Sequence, residues 1–99
     1  MDSGNLANRD EMIGRIYRTK TAQRQRLSFI NSELSGIAVL FKKAHSQLEC
    51  LLGHERSDLH SVLSQISIEH TLQLLAEREQ LMRQINSANE ELKRLGVPL

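Results

Sequence analysis

Between Ile13 and Leu51 apolar residues return at alternating steps of three and four, through Ile13, Ile16, Leu27, Ile30, Leu34, Ile37, Phe41, Ala44, Leu48 and Leu51. Lys20 and Gln23 are the two polar members of the series. An α-helix turns once in about 3.6 residues, so these steps collect the apolar side chains on one stripe of a long helix, as in a coiled-coil seam. A stripe of that length is stable in water only when a second stripe covers it.

The second stripe lies downstream. Leu59, Val62, Leu63, Ile66, His70, Leu74, Leu81, Ile85, Ala88, Leu92 and Leu95 trace another helical seam, with an extra four-residue step between Ile66 and Leu74 that reads as a stutter relaxing any supercoil. Asn8 is placed to cap the first helix, with Asp10 and Glu11 in its first turn, and Gly53 to stop it in a left-handed conformation. Ser57 or Asp58 is placed to cap the second helix, and Gly96 followed by Pro98 to end it. The expected organisation is a flexible N-terminus (1–8), which lacks periodicity and frays, and a single domain (9–99) with helices over about 9–52 and 58–95 and a turn over 53–57. Gly36 is the one threat to an unbroken first helix, and the apolar repeat passes through it without a slip. The fold class that follows is all-α, an antiparallel helical hairpin of two long amphipathic helices, expected to dimerise into a four-helix bundle.

Composition agrees. Three aromatic residues (Tyr17, Phe29 and Phe41) and one proline leave little from which to build a sheet. With the turn centred between His54 and Glu55, Ile13 and Ile16 face Leu92 and Leu95, Leu27 faces Met82, Leu34 faces Leu74 and Leu75, and Leu48 faces Val62. Lys20 and Gln23 then meet Asn86 and Asn89. That polar layer reads either as a hydrated weak point or as a device that fixes register at a cost in stability.

The net charge of +1 exerts no global pull on nucleic acid or an acidic membrane. A lone Cys50 forms no disulfide within the chain, the opening residues Asp2 to Asn5 are polar, and the longest apolar run, 37–41, is far too short to span a bilayer. The expectation is a cytoplasmic protein without a membrane anchor.

Catalysis requires a nucleophile, a base and an orienting group converging in a concave pocket, and one seam between two helices offers little concavity. There is no glycine-rich phosphate loop and no paired-carboxylate signature, so no enzyme activity and no cofactor are expected. Cys50, His54 and His60 gather near the turn, but structural zinc takes four ligands, commonly in close pairs, and a fourth would have to come from Glu49, Glu55 or another copy. The expectation is no metal, with Cys50 packed as a small apolar residue and both histidines solvated. His70 reads as a neutral residue of the seam, and His45 with Glu49 as an i, i+4 pair.

Two features point outward. Arg9, Arg15, Arg18, Lys20, Arg24 and Arg26 lie within eighteen residues, a footprint that fits phosphate contacts, with Arg15, Arg18, Lys20, Arg24 and Arg26 as the candidate nucleic-acid contacts. Arg15, Arg18 and Arg26 share a side of the helix while Lys20 and Arg24 fall nearer the seam, and the register brings Glu90 and Glu91 opposite Arg18 and Lys20, so the expectation is partial neutralisation within the fold. The second feature is an apolar band on the later helix, Ile68, Leu72, Leu75 and Met82, more than about 100° from its seam at 3.6 residues per turn. Val39 and Leu40 also point away from the seam at the same height, and Gly36 beside them leaves room for a facing helix. These seven residues are the candidate surface for a second copy or a protein partner. The leading functional expectation is an interaction or assembly module. A small nucleic-acid-binding regulator is the alternative.

Overall fold

The structure is a computed structural model that describes the backbone of residues 2–98 and the side chains of residues 8–98. Three helices follow in order, α1 (Asp2–Leu52), α2 (Leu59–Ser64) and α3 (Ile68–Arg94), and no strand occurs among the described residues. The two long helices α1 and α3 pack against each other as a helical hairpin. α1 passes through Gly36 unbroken. It also continues back past Asn8, which therefore lies inside the helix and does not cap it: no proline interrupts residues 2–12, and propagating a formed helix costs little.

Packing divides the chain into two units, one of residues 1–28 with 77–99 and one of residues 29–76. In the first, Leu81, Ile85 and Leu92 are buried among half-buried Ile13, Ile16, Leu27, Ala88 and Leu95, and Lys20 is buried at its seam position. In the second, Ile30, Ala44, Val62 and Leu74 are buried among half-buried Leu34, Ile37, Leu40, Leu59 and Ile66. Phe41 and Leu48, expected in the seam, are 46% and 43% exposed, because the covered side of α1 here runs through Leu40, Ala44 and Gln47 instead.

The largest departure from expectation is that the second helix is not continuous. Residues 65–67 leave the helix, and the chain restarts at Ile68 with Ser67 as its cap, the Ser67 Oγ accepting from the His70 amide at 3.1 Å. Serine chemistry explains the break. Ser64 Oγ donates to the Ser61 carbonyl, and the amides of Gln65 and Ile66 bond back only three residues, so the last turn of α2 tightens and ends. The apolar stutter coincides with this break, and the phase resets across it: Thr71, Leu74, Arg78, Leu81, Ile85, Ala88 and Leu92 form the covered side of α3. His70 is exposed rather than in the seam, Thr71 takes its place, and Arg78 fills the gap between Leu74 and Leu81.

The break also moves the register. In the first unit Gln23 bonds Gln84 where Asn86 was expected, Arg26 meets Glu77 where a strict register gives Arg83, and Arg9 reaches Leu95. Each partner comes earlier in sequence than expected, because three residues outside a helix rise about 3.3 Å each rather than 1.5 Å and carry the returning chain further per residue.

Both long helices end in the same way. At the end of α1, His54 N–H bonds the Leu51 carbonyl at 3.1 Å and Glu55 N–H bonds Cys50 at 2.8 Å; after α3, Gly96 N–H bonds Lys93 and Val97 N–H bonds Leu92, both at 2.9 Å. These are Schellman motifs, whose left-handed residue at the second site is Gly96, at φ +83°. At the first it is His54, at φ +60°, not the expected Gly53, which sits one residue too early. A non-glycine residue held there costs about 1 kcal/mol. His54→Gly is therefore expected to raise stability by about 0.5 to 1 kcal/mol. Gly53→Ala, whose new methyl would meet only the Glu49 and Cys50 carbonyls at 3.5 and 3.6 Å, should also stabilise, and Gly96→Ala should destabilise by about 1 kcal/mol. Thermal and urea unfolding followed by circular dichroism measures all three; a loss of stability for His54→Gly would contradict this account of the turn.

Candidate interaction surface

Thirteen large hydrophobic side chains are exposed among the described residues, and ten of them fall in residues 29–76. The same unit is poor in charge, with about one charged residue in six against one in three elsewhere. Of the seven candidate surface residues, Val39, Ile68, Leu72 and Leu75 are exposed here, Leu72 at 61%, while Leu40 is half-buried. A side chain added at Gly36 would meet nothing within 4 Å. Met82 belongs to the other unit and is 38% exposed.

These residues do not make one patch. At about 100° per residue Gly36 is displaced from the covered side of α1, at whose border Leu40 lies, in one rotational sense, and Ile68, Leu72 and Leu75 from that of α3 in the other. Because both helices are right-handed and run antiparallel, opposite senses place the two stripes on opposite sides of the unit. Phe41 and Leu48, also exposed, fall on the side of Ile68, Leu72 and Leu75, and nothing in their spacing with Gly36 shows this until the covered side of α1 is known.

The basic segment is divided by the fold. Lys20 is buried, so its stem is core and not surface. Arg26 forms a two-pronged pair with Glu77, its Nη2 donating to Oε1 at 3.0 Å and its Nε to Oε2. Arg9 donates through Nε and Nη2 to the Leu95 carbonyl and so closes the C-terminal end of α3, where the helix dipole favours a cation. Arg15, Arg18 and Arg24 remain exposed, without a carboxylate partner among the described residues. The expected neutralisation by Glu90 and Glu91 does not occur through Arg18 or Lys20: Glu91 pairs with Arg94 on its own helix at 3.0 Å. The shift in register to Glu77 is the reason.

A groove of about 680 Å³ runs along the first unit beside Arg15, Gln23, Arg83, Gln84, Ser87 and Glu91. Its lining holds no histidine, cysteine or lysine and a single carboxylate. Gln23 of the polar layer lies here, its Nε2 donating to Gln84 Oε1 at 3.2 Å, while Gln23 Oε1 and Asn89 Oδ1 are buried without a hydrogen-bond partner among the described residues. At the turn, Ser57 Oγ donates to the Gln47 carbonyl and Asp58 N–H to Gln47 Oε1, each at 2.7 Å. Gln47 thus anchors the loop, a role without a sequence signal, since an isolated glutamine on a helix carries none. Cys50 is half-buried and free, and no three metal-ligating side chains come together among the described residues. His45 Nε2 lies 2.9 Å from Glu49 Oε1. No helix among the described residues is long and apolar enough to cross a membrane. Comparison with protein families, with curated proteins and with solved structures returns no match.

The Arg26 hydrogen bonds hold the Glu77 carboxyl below its ordinary value of 4.5, against an opposing desolvation and with a lesser contribution from the guanidinium charge in the same direction as the hydrogen bonds. A carboxyl whose pKa is lowered by folding stabilises the fold at every pH above its unfolded value, and that contribution is lost as pH falls through the lower, folded value. Glu77→Gln should therefore be less stable than wild type at neutral pH, by a deficit that shrinks as pH falls below the ordinary carboxyl range and vanishes once Glu77 is protonated in the folded chain. Urea titrations of both proteins across pH 2 to 7 measure this; a deficit that persists at the acid end would show that the pair acts through packing and not charge.

Proposed function

We propose that this chain is a non-enzymatic interaction or assembly module, an adaptor, chaperone-like or scaffold subunit of the cytoplasm. It works as a homodimer whose two hairpins form a four-helix bundle and present a surface to a protein partner. The observation that carries this reading is the concentration of exposed large apolar side chains, ten of thirteen, in the charge-poor residues 29–76. Single exposed hydrophobics are normal on soluble proteins, but clustered ones mark interaction sites. A small two-helix unit also has little core of its own, and association is a common remedy.

The nucleic-acid reading rests on Arg15, Arg18 and Arg24, exposed and without an ion-pair partner among the described residues. Two of these share a side and Arg24 points elsewhere, so a docked duplex would meet two or three phosphate contacts, a salt slope of only about −2 to −3 in log–log terms. That is weak support beside the apolar surface.

Size exclusion with light scattering at tens of micromolar should give a dimer or a higher even-numbered assembly. A well-folded monomer at that concentration would refute the homodimer. Retention on heparin with a gel shift at micromolar protein that collapses between low and moderate salt would favour the nucleic-acid reading instead.

A further inference from the structure

We infer that the α1 stripe through Gly36 is self-complementary and takes a second copy of this chain, with the two α1 helices antiparallel and Gly36 facing Leu40 of the other copy. The inference rests on the assembly reading above and specifies its contact. Glu33, Gly36, Leu40 and Lys43 follow at steps of three, four and three, and so occupy one stripe of a helix that runs unbroken through them. The pattern has a two-fold relation to itself when its direction is reversed: the acid maps onto the base and the glycine onto the leucine. A two-fold dimer demands this property, because each residue i that meets j must also be met as j by i.

The chemistry fits at each position. Gly36 opens onto empty space, with nothing within 4 Å of where a side chain would begin, so it forms a hollow on the helix surface. Leu40, one turn on and half-buried at the border of the covered side, offers its exposed edge to the same hollow on the second copy. Glu33 and Lys43 are exposed, and neither has an ion-pair partner among the described residues. In the antiparallel arrangement each Glu33 meets the Lys43 of the other copy, twice per dimer, at the rim of the contact. A parallel arrangement would set Glu33 against Glu33 and Lys43 against Lys43 and is disfavoured by the same charges. The cost of an interior glycine, about 1 kcal/mol in helix propensity, is offset by the close approach it permits.

The test is a charge swap read by size exclusion with light scattering and by sedimentation equilibrium at low salt. Glu33→Lys alone and Lys43→Glu alone should each weaken self-association about tenfold or more, since each replaces two attractions with two repulsions. Mixing the two single variants in equal amounts should restore a dimer, now mixed, and combining both changes in one chain should restore the homodimer. Gly36→Leu should abolish the dimer while its helicity by circular dichroism is retained, because the added side chain enters open space in the single chain. Weakening by each single change, with the homodimer regained when both are combined in one chain, supports an antiparallel contact at this stripe. If the wild-type dimer tolerates both swaps and Gly36→Leu, this contact is wrong, while the assembly reading survives with its interface on the side of Ile68, Leu72 and Leu75. A wild-type chain that stays monomeric to several hundred micromolar overturns the second copy as occupant, and capture of a different protein by the stripe does so as well.

Discussion

Two helices laid side by side share one line of contact, and each can hide only the arc of its surface that faces that line. Most of what this chain displays follows from that limit. The buried residues, Ile30 and Leu92 above all, lie on the shared line. Residues a quarter-turn or more away stay in water whatever their chemistry. Among the described residues of 1–28 and 77–99 the outward positions are mostly charged or polar, and water suits them. In residues 29–76 many outward positions are apolar, so a partner helix on either side would bury more surface than the chain buries alone.

The same limit makes the ends and joints expensive to leave untreated, because a thin fold cannot bury an orphaned carbonyl deep among neighbours. Polar side chains handle these places one by one. Arg9 covers the end of α3, Gln47 holds the turn by its backbone and side-chain oxygens, and Ser67 restarts the returning helix. None of these contacts is large. Together they satisfy the groups that the seam cannot reach.

The helical class, the hairpin and the identity of most seam residues were legible because periodicity is a long-range signal that one substitution does not erase. Ile30, Leu74, Leu81, Ile85 and Leu92 could be read directly. The break at residues 65–67 left a trace, the extra step between Ile66 and Leu74, but a slip in phase has two physical solutions, a relaxed supercoil or a new helix. Which one occurs depends on local hydrogen bonds of Ser61, Ser64 and Ser67 that compete by small margins. The error in register followed from that choice. The left-handed position at the turn was misplaced for a related reason: Gly53 is the residue best suited to it, yet the hydrogen-bond pattern places His54 there. The outward apolar residues were identified from angles alone, but their division between two sides required the covered side of each helix, which the heptad register gave wrongly at Phe41 and Leu48.

The spacing of the contacts along the chain carries a consequence for how the molecule assembles itself. The turn is tied by bonds between residues ten and eleven apart, whereas Arg26, Gln23 and Arg9 reach partners 51, 61 and 86 residues away. Closing a long loop costs more entropy than closing a short one, and once the turn is tied each later contact closes only a small additional loop. Loop-closure entropy therefore favours folding outward from the turn toward the chain ends, like a zip whose slider starts in the middle of the sequence. On a ribosome the slider cannot start until the chain has emerged past Asp58, and the first helix must wait without its partner until then.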